Sequence, residues 1–188
     1  MTGNALLAVL KKVTSTARRL KIKVVVMGGM ATSIYAPPRA TFDIDAIGDI
    51  KEESLGCFLA DLKKQGFSFD EREPVKTIAG LPFVTLYYRR SKIYVDLFIA
   101  RSEFQKLVVQ RARSLRVGGI KLDIISPEDL ILVKLLSGRT RDNEDIRQIL
   151  AENAETLDFK YLRRWADKLG KQVFLEDEMR SLGISPTG

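Results

Sequence analysis

The sequence contains no histidine, and this absence narrows the chemistry available to the chain. Serine–histidine and cysteine–histidine triads, histidine metal sites and histidine general bases are all excluded. Acid–base or metal chemistry must therefore rest on Asp, Glu, Lys or Tyr side chains. Of these, the carboxylates suit hard cations such as Mg²⁺.

Cysteine and long apolar runs are scarce as well. The single cysteine, Cys57, rules out an internal disulfide and fits a reducing compartment, and we expect it to be a buried small hydrophobic residue. No uninterrupted apolar stretch approaches the ~20 residues that a membrane-spanning helix needs. The first residues also lack the charged region of a secretory signal. We therefore expect a cytoplasmic protein with no membrane partner.

The composition is that of a globular protein with a basic surplus. The 188 residues are 45% hydrophobic, the mean hydropathy is −0.06, the formal charge is +7 and the isoelectric point is about 9.5. A positive balance favours anionic partners, of which nucleoside triphosphates (NTPs) and RNA are the candidates. Because no compact Lys/Arg block stands out, the basic residues are equally explained as a means of staying soluble.

The hydrophobic periodicity predicts a mixed sheet first and a helical end afterwards, an α+β (mixed α/β) fold. Strands are predicted at residues 23–27, 42–47, 81–89, 92–99, 114–117 and 120–124. Helices are predicted at about residues 3–20, 30–35, 52–65, 103–110, 126–138, 142–152, 158–169 and 171–182, with a frayed tail after Gly183. We expect an α/β domain over residues 1–125 and a helical subdomain over residues 126–188.

Two aspartates stand two positions apart in the predicted strand 42–47. Strand alternation places Asp43 and Asp45 on one face, and Phe42, Ile44 and Ala46 on the other, where they can enter the core. Two carboxylates on one face repel each other unless a cation lies between them. The pair therefore suits a metal ion, although a solvated strand end gives the same pattern.

A third aspartate, Asp96, lies inside the apolar strand segment Ile93–Ile99. Tyr94 and Phe98, which share its face, are also apolar, and aspartate is depleted in strand interiors. Burying a carboxylate without a partner is expensive. A metal ion shared with Asp43 and Asp45 would meet that demand, and a salt bridge to Lys or Arg is the alternative.

Gly28 and Gly29 follow an apolar strand and precede a short predicted helix. Glycines let the backbone turn sharply and approach a ligand closely, and the N-terminus of the next helix offers N–H groups to phosphate. The surrounding residues match neither a Walker A loop nor a dinucleotide-binding fingerprint. A plain turn is the alternative interpretation.

Lys134 is the one charge in the apolar helical segment Leu130–Leu136. A helix that is apolar nearly all round should be buried, so this lysine must either extend to solvent or meet anions such as a triphosphate. Three arginines are further candidates for phosphate contact: Arg39, Arg139 and Arg141. For each of them, a surface position or a helix-capping role is the alternative. The acids placed to orient these bases are Asp142 and Asp145.

Taken together, these residues resemble the polymerase-β-like nucleotidyltransferase superfamily, in which a Gly-Gly or Gly-Ser turn precedes Asp-x-Asp and a third acid on a nearby strand. The sequence is similar, more closely, to the nucleotidyltransferase toxins of AbiE-type abortive-infection systems. The motifs that carry this closer resemblance are Gly28-Gly29-Met30-Ala31, Arg39-x-Thr41-x-Asp43-Ile44-Asp45 and Pro127-Glu128-Asp129-Leu130 with Lys134, Arg139, Asp142 and Asp145. They span roughly residues 23–150.

The resemblance implies a nucleotidyltransferase fold and a two-metal reaction on an NTP. Asp43, Asp45 and Asp96 would hold two Mg²⁺ ions, with Asp96 also taking the proton of the acceptor hydroxyl. Backbone amides after Gly28-Gly29 would bind the β- and γ-phosphates, and Lys134, with Arg39, would neutralise pyrophosphate. Further nucleotide contacts are predicted at Thr32 and Arg139. Many members have Gly-Ser at the turn, and here Thr32 and Ser33 are the nearest hydroxyls.

The acceptor divides the functional hypotheses. A tRNA, another RNA or a protein acceptor, with a cognate antitoxin as partner, suits a toxin, and the positive charge favours tRNA. A small hydroxylated acceptor such as an aminoglycoside suits a resistance enzyme, with an acidic pocket formed by Asp70, Glu71 and Glu73. A different class of protein is also open: a catalytically inactive module of the same fold that binds RNA or a partner protein.

Overall fold

A computed structural model describes residues 2–78 and 80–184 of the chain. The part of the tail beyond residue 184, predicted to fray, lies outside the described residues. In chain order the elements are α1 (Thr2–Arg19), β1 (Val24–Met27), α2 (Gly28–Tyr35), β2 (Ile44–Gly48), α3 (Glu52–Lys64), β3 (Phe67–Ser68), β4 (Lys76–Ile78), β5 (Leu81–Tyr88), β6 (Ile93–Ile99), α4 (Glu103–Arg111), β7 (Arg113–Val117), β8 (Ile120–Ile124), α5 (Pro127–Ser137), α6 (Thr140–Asn153), α7 (Phe159–Lys168) and α8 (Gln172–Ser181).

These elements form two compact units. The first, here called the sheet unit, contains the chain up to Met30 together with Ala40–Ile125. The second, the helical unit, contains Ala31–Arg39 together with the chain from Ser126 onward. The short segment at residues 31–39 therefore groups with helices far along the chain, a pairing that hydrophobic periodicity does not reveal.

The sheet unit is built on one mixed sheet in the order β3-β5-β6-β2-β1-β8-β7, with β4 also beside β5. The pairs β2–β6 and β1–β8 are parallel, whereas β1–β2, β5–β6 and β7–β8 are antiparallel. The predicted mixed sheet is thus confirmed. Two short strands, β3 and β4, were not predicted, because two or three residues are too few for a periodic signal and all of β4 is exposed.

One face of the central strands carries much of the core of the sheet unit. Ile44 and Ala46 of β2, and Val95 and Leu97 of β6, are fully buried. Alternation therefore sends the intervening residues, including two aspartates, to the opposite face. Phe42 is a correction: it was expected in the core but is 70% exposed, because β2 begins only at Ile44.

Cys57 is a second correction. It lies exposed on α3 rather than in the core. The buried stripe of that helix consists of Phe58, Leu59 and Leu62, and Cys57 lies off that stripe.

In the helical unit, α5 has the start and end that its sequence predicts. The Ser126 hydroxyl accepts a hydrogen bond from the Asp129 N–H at 3.1 Å and donates one to the Asp129 carboxylate at 2.8 Å. Pro127 occupies the first turn, and Gly138 ends the helix in the left-handed conformation at φ 64°.

No helix among residues 2–78 and 80–184 is long and apolar enough to cross a membrane.

Candidate active site

Polar side chains of three neighbouring strands form one row across the sheet. Asp45 of β2 is in register with Asp96 of β6, and Asp96 is in register with Thr85 of β5. In-register residues of adjacent strands project to the same face. We call Asp45, Asp96 and Thr85 the carboxylate row. The register brings together two aspartates that are 51 positions apart in the sequence, and it adds a hydroxyl.

Asp96 is less enclosed than its apolar sequence neighbours suggested. Its side chain is half-buried, and the Thr85 hydroxyl donates a hydrogen bond to Oδ1 at 2.7 Å. Val95 and Leu97 are buried, but they project to the other face. The expectation of an enclosed carboxylate was therefore wrong, because the apolar residues on its own face leave it uncovered: Tyr94 is 49% exposed. Within the described parts of the chain, Asp96 forms no ion pair with Lys or Arg, so the salt-bridge alternative is not what the structure shows.

Gly28 lies against the Asp45 carboxylate. Its φ is +63°, a backbone conformation that residues other than glycine rarely adopt, and a Cβ atom there would lie 1.9 Å from Asp45 Oδ2. Both constraints require glycine. The helix α2 begins at Gly28 itself, two residues before its predicted start. The strand thus passes directly into a helix, and the backbone at this junction runs past the carboxylate row.

Asp43 stands apart from the row. It is exposed and precedes the first residue of β2, so strand alternation does not fix its direction. The Thr41 hydroxyl donates to the Asp43 carbonyl oxygen at 3.2 Å. Among residues 2–78 and 80–184, no three His, Cys, Asp or Glu side chains are placed to hold a metal ion together. The site of three aspartates therefore stays a prediction.

Two in-register carboxylates are nevertheless compatible with Mg²⁺. This ion is usually held by one or two carboxylates, with waters and substrate phosphates completing the coordination, rather than by an all-protein cage. Asp45 and Asp96 are both half-exposed, and Gly28 makes room for the Asp45 carboxylate because it has no Cβ. The residues present thus fit a divalent cation that binds together with a triphosphate.

In the helical unit, Lys134 is 5% exposed and belongs to an ion-pair cluster. Its Nζ lies 3.0 Å from Asp142 Oδ1 and 2.5 Å from Asp145 Oδ2. Arg39 donates two hydrogen bonds to Asp145, from Nε at 3.0 Å and from Nη2 at 2.8 Å. We call Arg39, Lys134, Asp142 and Asp145 the buried ion cluster. Protein carboxylates meet the charge of Lys134, and its predicted contact with pyrophosphate stays a prediction, as does that of Arg39.

Asp145 has a perturbed acidity inside this cluster. Burial raises the pKa of its carboxyl, but the hydrogen bonds from Arg39 and Lys134 outweigh burial, and the pKa lies below its ordinary value. Asp145 is therefore an anion that the two cations stabilise, rather than a proton donor or acceptor near neutral pH.

The other predicted nucleotide contacts lie in varied settings. Gly29 is the second residue of α2, and Thr32 of the same helix is fully buried. Arg139 is exposed at the N-cap of α6, where its side chain makes no capping hydrogen bond. Their roles in nucleotide binding stay predictions.

Sequence reasoning missed Thr85 and the cavity that it helps to line. This cavity belongs to the sheet unit and has a volume of about 300 Å³. Its lining residues are Ser68, Phe69, Asp70, Pro74, Lys76, Thr85, Tyr87 and Tyr94. The signal was present in the sequence, because the two-residue link between the predicted strands 81–89 and 92–99 makes a hairpin whose register places Thr85 opposite Asp96.

The fold is similar to those of solved nucleotidyltransferases. An antigenic nucleotidyltransferase-like protein from Paracoccidioides brasiliensis matches 96% of this chain and 94% of its own at 19% identity, with a TM-score of 0.53. The antibiotic-resistance factor ANT(2'')-Ia matches 90% of this chain and 97% of its own at 16% identity, with a TM-score of 0.58. The lincosamide antibiotic adenylyltransferase LnuA, bound to lincomycin, matches 76% of this chain and 94% of its own at 17% identity, with a TM-score of 0.53. These likenesses confirm the predicted fold.

Comparison with curated proteins finds no match. A family match, in contrast, extends over residues 4–184, nearly the whole chain, and agrees with the enzyme class predicted from the sequence. The chain belongs to the family described as "Nucleotidyltransferase of unknown function (DUF6036)".

Proposed function

We propose that this protein transfers a nucleoside monophosphate from an NTP to an acceptor hydroxyl, with Asp45 and Asp96 at the centre of the reaction. The observation that carries the proposal is the register of these two carboxylates beside Gly28. Carboxylates on one half-exposed face, next to a helix N-terminus, offer ligands for a cation and a place for phosphate. The resemblance of the ordered motifs to nucleotidyltransferases supports the same assignment.

The proposed transfer is a single displacement at the α-phosphorus. The acceptor oxygen forms a bond to the α-phosphorus, and the bond from that phosphorus to the oxygen bridging to the β-phosphorus breaks. Pyrophosphate leaves with the bonding electron pair, and the acceptor proton passes to the Asp96 carboxylate. Thr85, which donates to Oδ1 of Asp96, is a positioning residue that fixes how this carboxylate faces the acceptor.

Asp45 and Asp96, with Asp43 as the predicted third ligand, would hold two Mg²⁺ ions, which neutralise charge on the attacking and leaving oxygens when bound. The N-terminus of α2 favours the negative β- and γ-phosphates through its dipole. Gly28 lets the backbone pass the Asp45 carboxylate without a clash. The chain thereby supplies ligands, a phosphate-binding backbone and a general base from one short stretch of the sheet.

The acceptor that we propose is RNA, with tRNA first, and the biological setting is a toxin of the AbiE type with an antitoxin partner. The charge of +7 and the motif resemblance support this choice. The antibiotic nucleotidyltransferases among the fold neighbours favour a second candidate, transfer to a small molecule. Their identity to this chain is low, so they argue for shared architecture rather than a shared acceptor.

Incorporation of label from an α-³²P-labelled NTP into total RNA, together with pyrophosphate release, tests the proposal. Asp45→Asn and Asp96→Asn should each abolish both signals, because each removes a charged ligand while preserving shape. Asp49→Asn is a matched control: Asp49 is exposed directly after β2 and lies outside the row. Unchanged transfer in both row variants would disprove the site assignment.

Calorimetry with each NTP distinguishes the enzyme from an inactive module. An active nucleotidyltransferase should bind NTP far more tightly with Mg²⁺ than with EDTA, and Asp45→Asn should remove the difference. An inactive module would instead bind RNA or a partner protein with an affinity that ignores Mg²⁺ and both row aspartates.

A further inference from the structure

The cavity beside Thr85 lies on the same face of the sheet as the carboxylate row. Thr85 belongs both to the cavity lining and to the row, since its hydroxyl donates to Asp96. The next in-register pair on that face is Tyr87 with Tyr94, and both line the cavity. Two residues along a strand span about 7 Å. A ligand whose ring packs on the two tyrosines could therefore reach Asp96 with a substituent about 7 Å away, roughly the length of a sugar ring.

The walls of the cavity suit a planar ring. The rings of Tyr87 and Tyr94 lie 4.8 Å apart between centroids, and Phe69 and Pro74 add apolar surface. Tyr94 is 49% exposed, so an incoming ring can reach its aromatic surface. Aromatic side chains on an open sheet face are the surfaces on which single-stranded nucleic acid bases stack. The volume of about 300 Å³ is at the lower end for small-ligand pockets and suits one nucleoside.

The charges of the cavity argue against a polycationic acceptor. Of the three acids predicted to form an acidic pocket, only Asp70 is in the lining, and Glu71 pairs instead with Lys63 at 2.7 Å. Asp70 is itself occupied: its Oδ1 accepts from the N–H groups of Arg72 and Glu73, and its Oδ2 lies 3.8 Å from the Nζ of Lys76. With Lys76 also in the lining, the cavity has no surplus of negative charge.

We infer that this cavity binds the terminal nucleoside of a single-stranded RNA acceptor, with its base on Tyr87 and Tyr94 and a ribose hydroxyl directed to Asp96. This inference rests on the proposed function for the chemistry that follows binding, but the binding itself does not need that chemistry. Lys76 is the lining cation suited to the backbone phosphate of the RNA.

Binding of a fluorescein-labelled RNA oligonucleotide, measured by anisotropy in EDTA without NTP, tests the cavity separately from catalysis. Tyr94→Ala should weaken binding about 5- to 100-fold, the loss expected for one stacked base. Phe174→Ala, which removes an exposed aromatic residue of α8, is the matched control and should bind normally. Tyr94→Leu, which keeps an apolar side chain, replaces Tyr94→Ala if circular dichroism shows that the latter is unfolded.

Two charge variants identify the class of ligand. For RNA, Lys76→Glu should weaken binding several-fold and Asp70→Asn should leave it unchanged or tighten it, whereas a cationic aminosugar should show the opposite order. Kanamycin is the probe for the aminosugar. Kanamycin binding that Asp70→Asn abolishes would overturn the nucleoside assignment, as would RNA binding that is indifferent to Tyr94→Ala. Retained, Tyr94-dependent RNA binding in Asp45→Asn would support the cavity even if nucleotidyl transfer is never observed.

Discussion

The two units hold their charged residues in opposite ways. In the helical unit, Lys134 and Asp145 are buried, and each meets opposite charge at 3.0 Å or less. In the sheet unit, Asp45 and Asp96 are half-exposed, and a single hydroxyl donates to Asp96. Each set contains a charge that the sequence marks as unusual, Lys134 in the first and Asp96 in the second. Lys134 and Asp145 use their charges to hold structure together, whereas the Asp96 carboxylate accepts from the Thr85 hydroxyl and stays half-exposed.

This contrast changes the interpretation of an unusual charge. A buried lysine in an apolar helix predicts a nearby anion, and here a pair of aspartates from α6 supplies that negative charge. Exposure distinguishes the candidate catalytic acids Asp45 and Asp96 from Asp145, which is buried in its ion pairs.

Removing Asp145 should cost the most stability. Asp145→Ala leaves Arg39 without its carboxylate partner and Lys134 with only Asp142, and breaking a buried ion pair costs about 3–5 kcal/mol. Urea denaturation followed by circular dichroism measures the change in the free energy of unfolding. Asp177→Ala is the matched control on α8, because its pair with Arg180 is exposed and such pairs contribute about 0–1 kcal/mol. Equal losses for the two variants would erase the contrast between buried and exposed pairs.

Substituting Gly28 should disturb the carboxylate row and the backbone together. In Gly28→Ala, a left-handed conformation costs about 1–2 kcal/mol, and the added Cβ would also meet Asp45 Oδ2 at 1.9 Å. Gly138→Ala is a close control, since its φ is +64° and no atom lies within 4 Å of its Cβ position. Thermal melting should show a larger loss for Gly28→Ala, and NTP binding should fall only in that variant. Similar behaviour of the two would mean that Asp45 moves freely away.

The sequence predicts most elements of the fold and identifies the two row aspartates. Periodicity is strong in β5, β6 and β8, and the Ser126-Pro127 start of α5 has a local physical cause, so their positions agree closely with the structure. The partners of Lys134 could not be predicted with the same certainty, because an ion pair between α5 and α6 depends on tertiary packing rather than on local sequence. The Thr85 hydroxyl beside Asp96, in contrast, follows from the register of the predicted hairpin.

The sequence misjudged the burial of Asp96. The apolar residues on its own face, Tyr94 and Phe98, suggested an expensive buried carboxylate, but Tyr94 is 49% exposed, and the fully buried neighbours Val95 and Leu97 face the other side. Tyr94 and Phe98 on the same face leave Asp96 half-exposed. The aspartate still stands out, for a different reason: it lies in register with Asp45.

Acid should weaken the buried ion cluster in a defined direction. The pKa of Asp145 is lowered on folding, so its contribution to stability is fully present above the ordinary carboxyl pKa of about 3.9 and is lost as the pH falls through the folded-state value. Urea midpoints of the wild type and Asp145→Asn, measured from pH 7 to pH 2.5, should therefore converge at low pH. A gap that is constant across this range would show that the pairing contributes nothing through ionisation.

The smallest effect is expected at Asp61, whose pKa is also lowered. Hydrogen bonds from Lys64 and Arg19 are the cause, but Arg19 and Lys64 are 57% and 77% exposed, and solvent screens such pairs. Asp61→Asn should leave the melting temperature within experimental error of the wild type, and 0.5 M NaCl should remove any residual difference. Asp61→Asn could instead lower the melting temperature as much as Asp145→Asn does. In that case a lowered pKa would predict how much an acid contributes to stability better than its burial does. The accessible carboxylates of the row could then no longer be separated from structural ones by exposure.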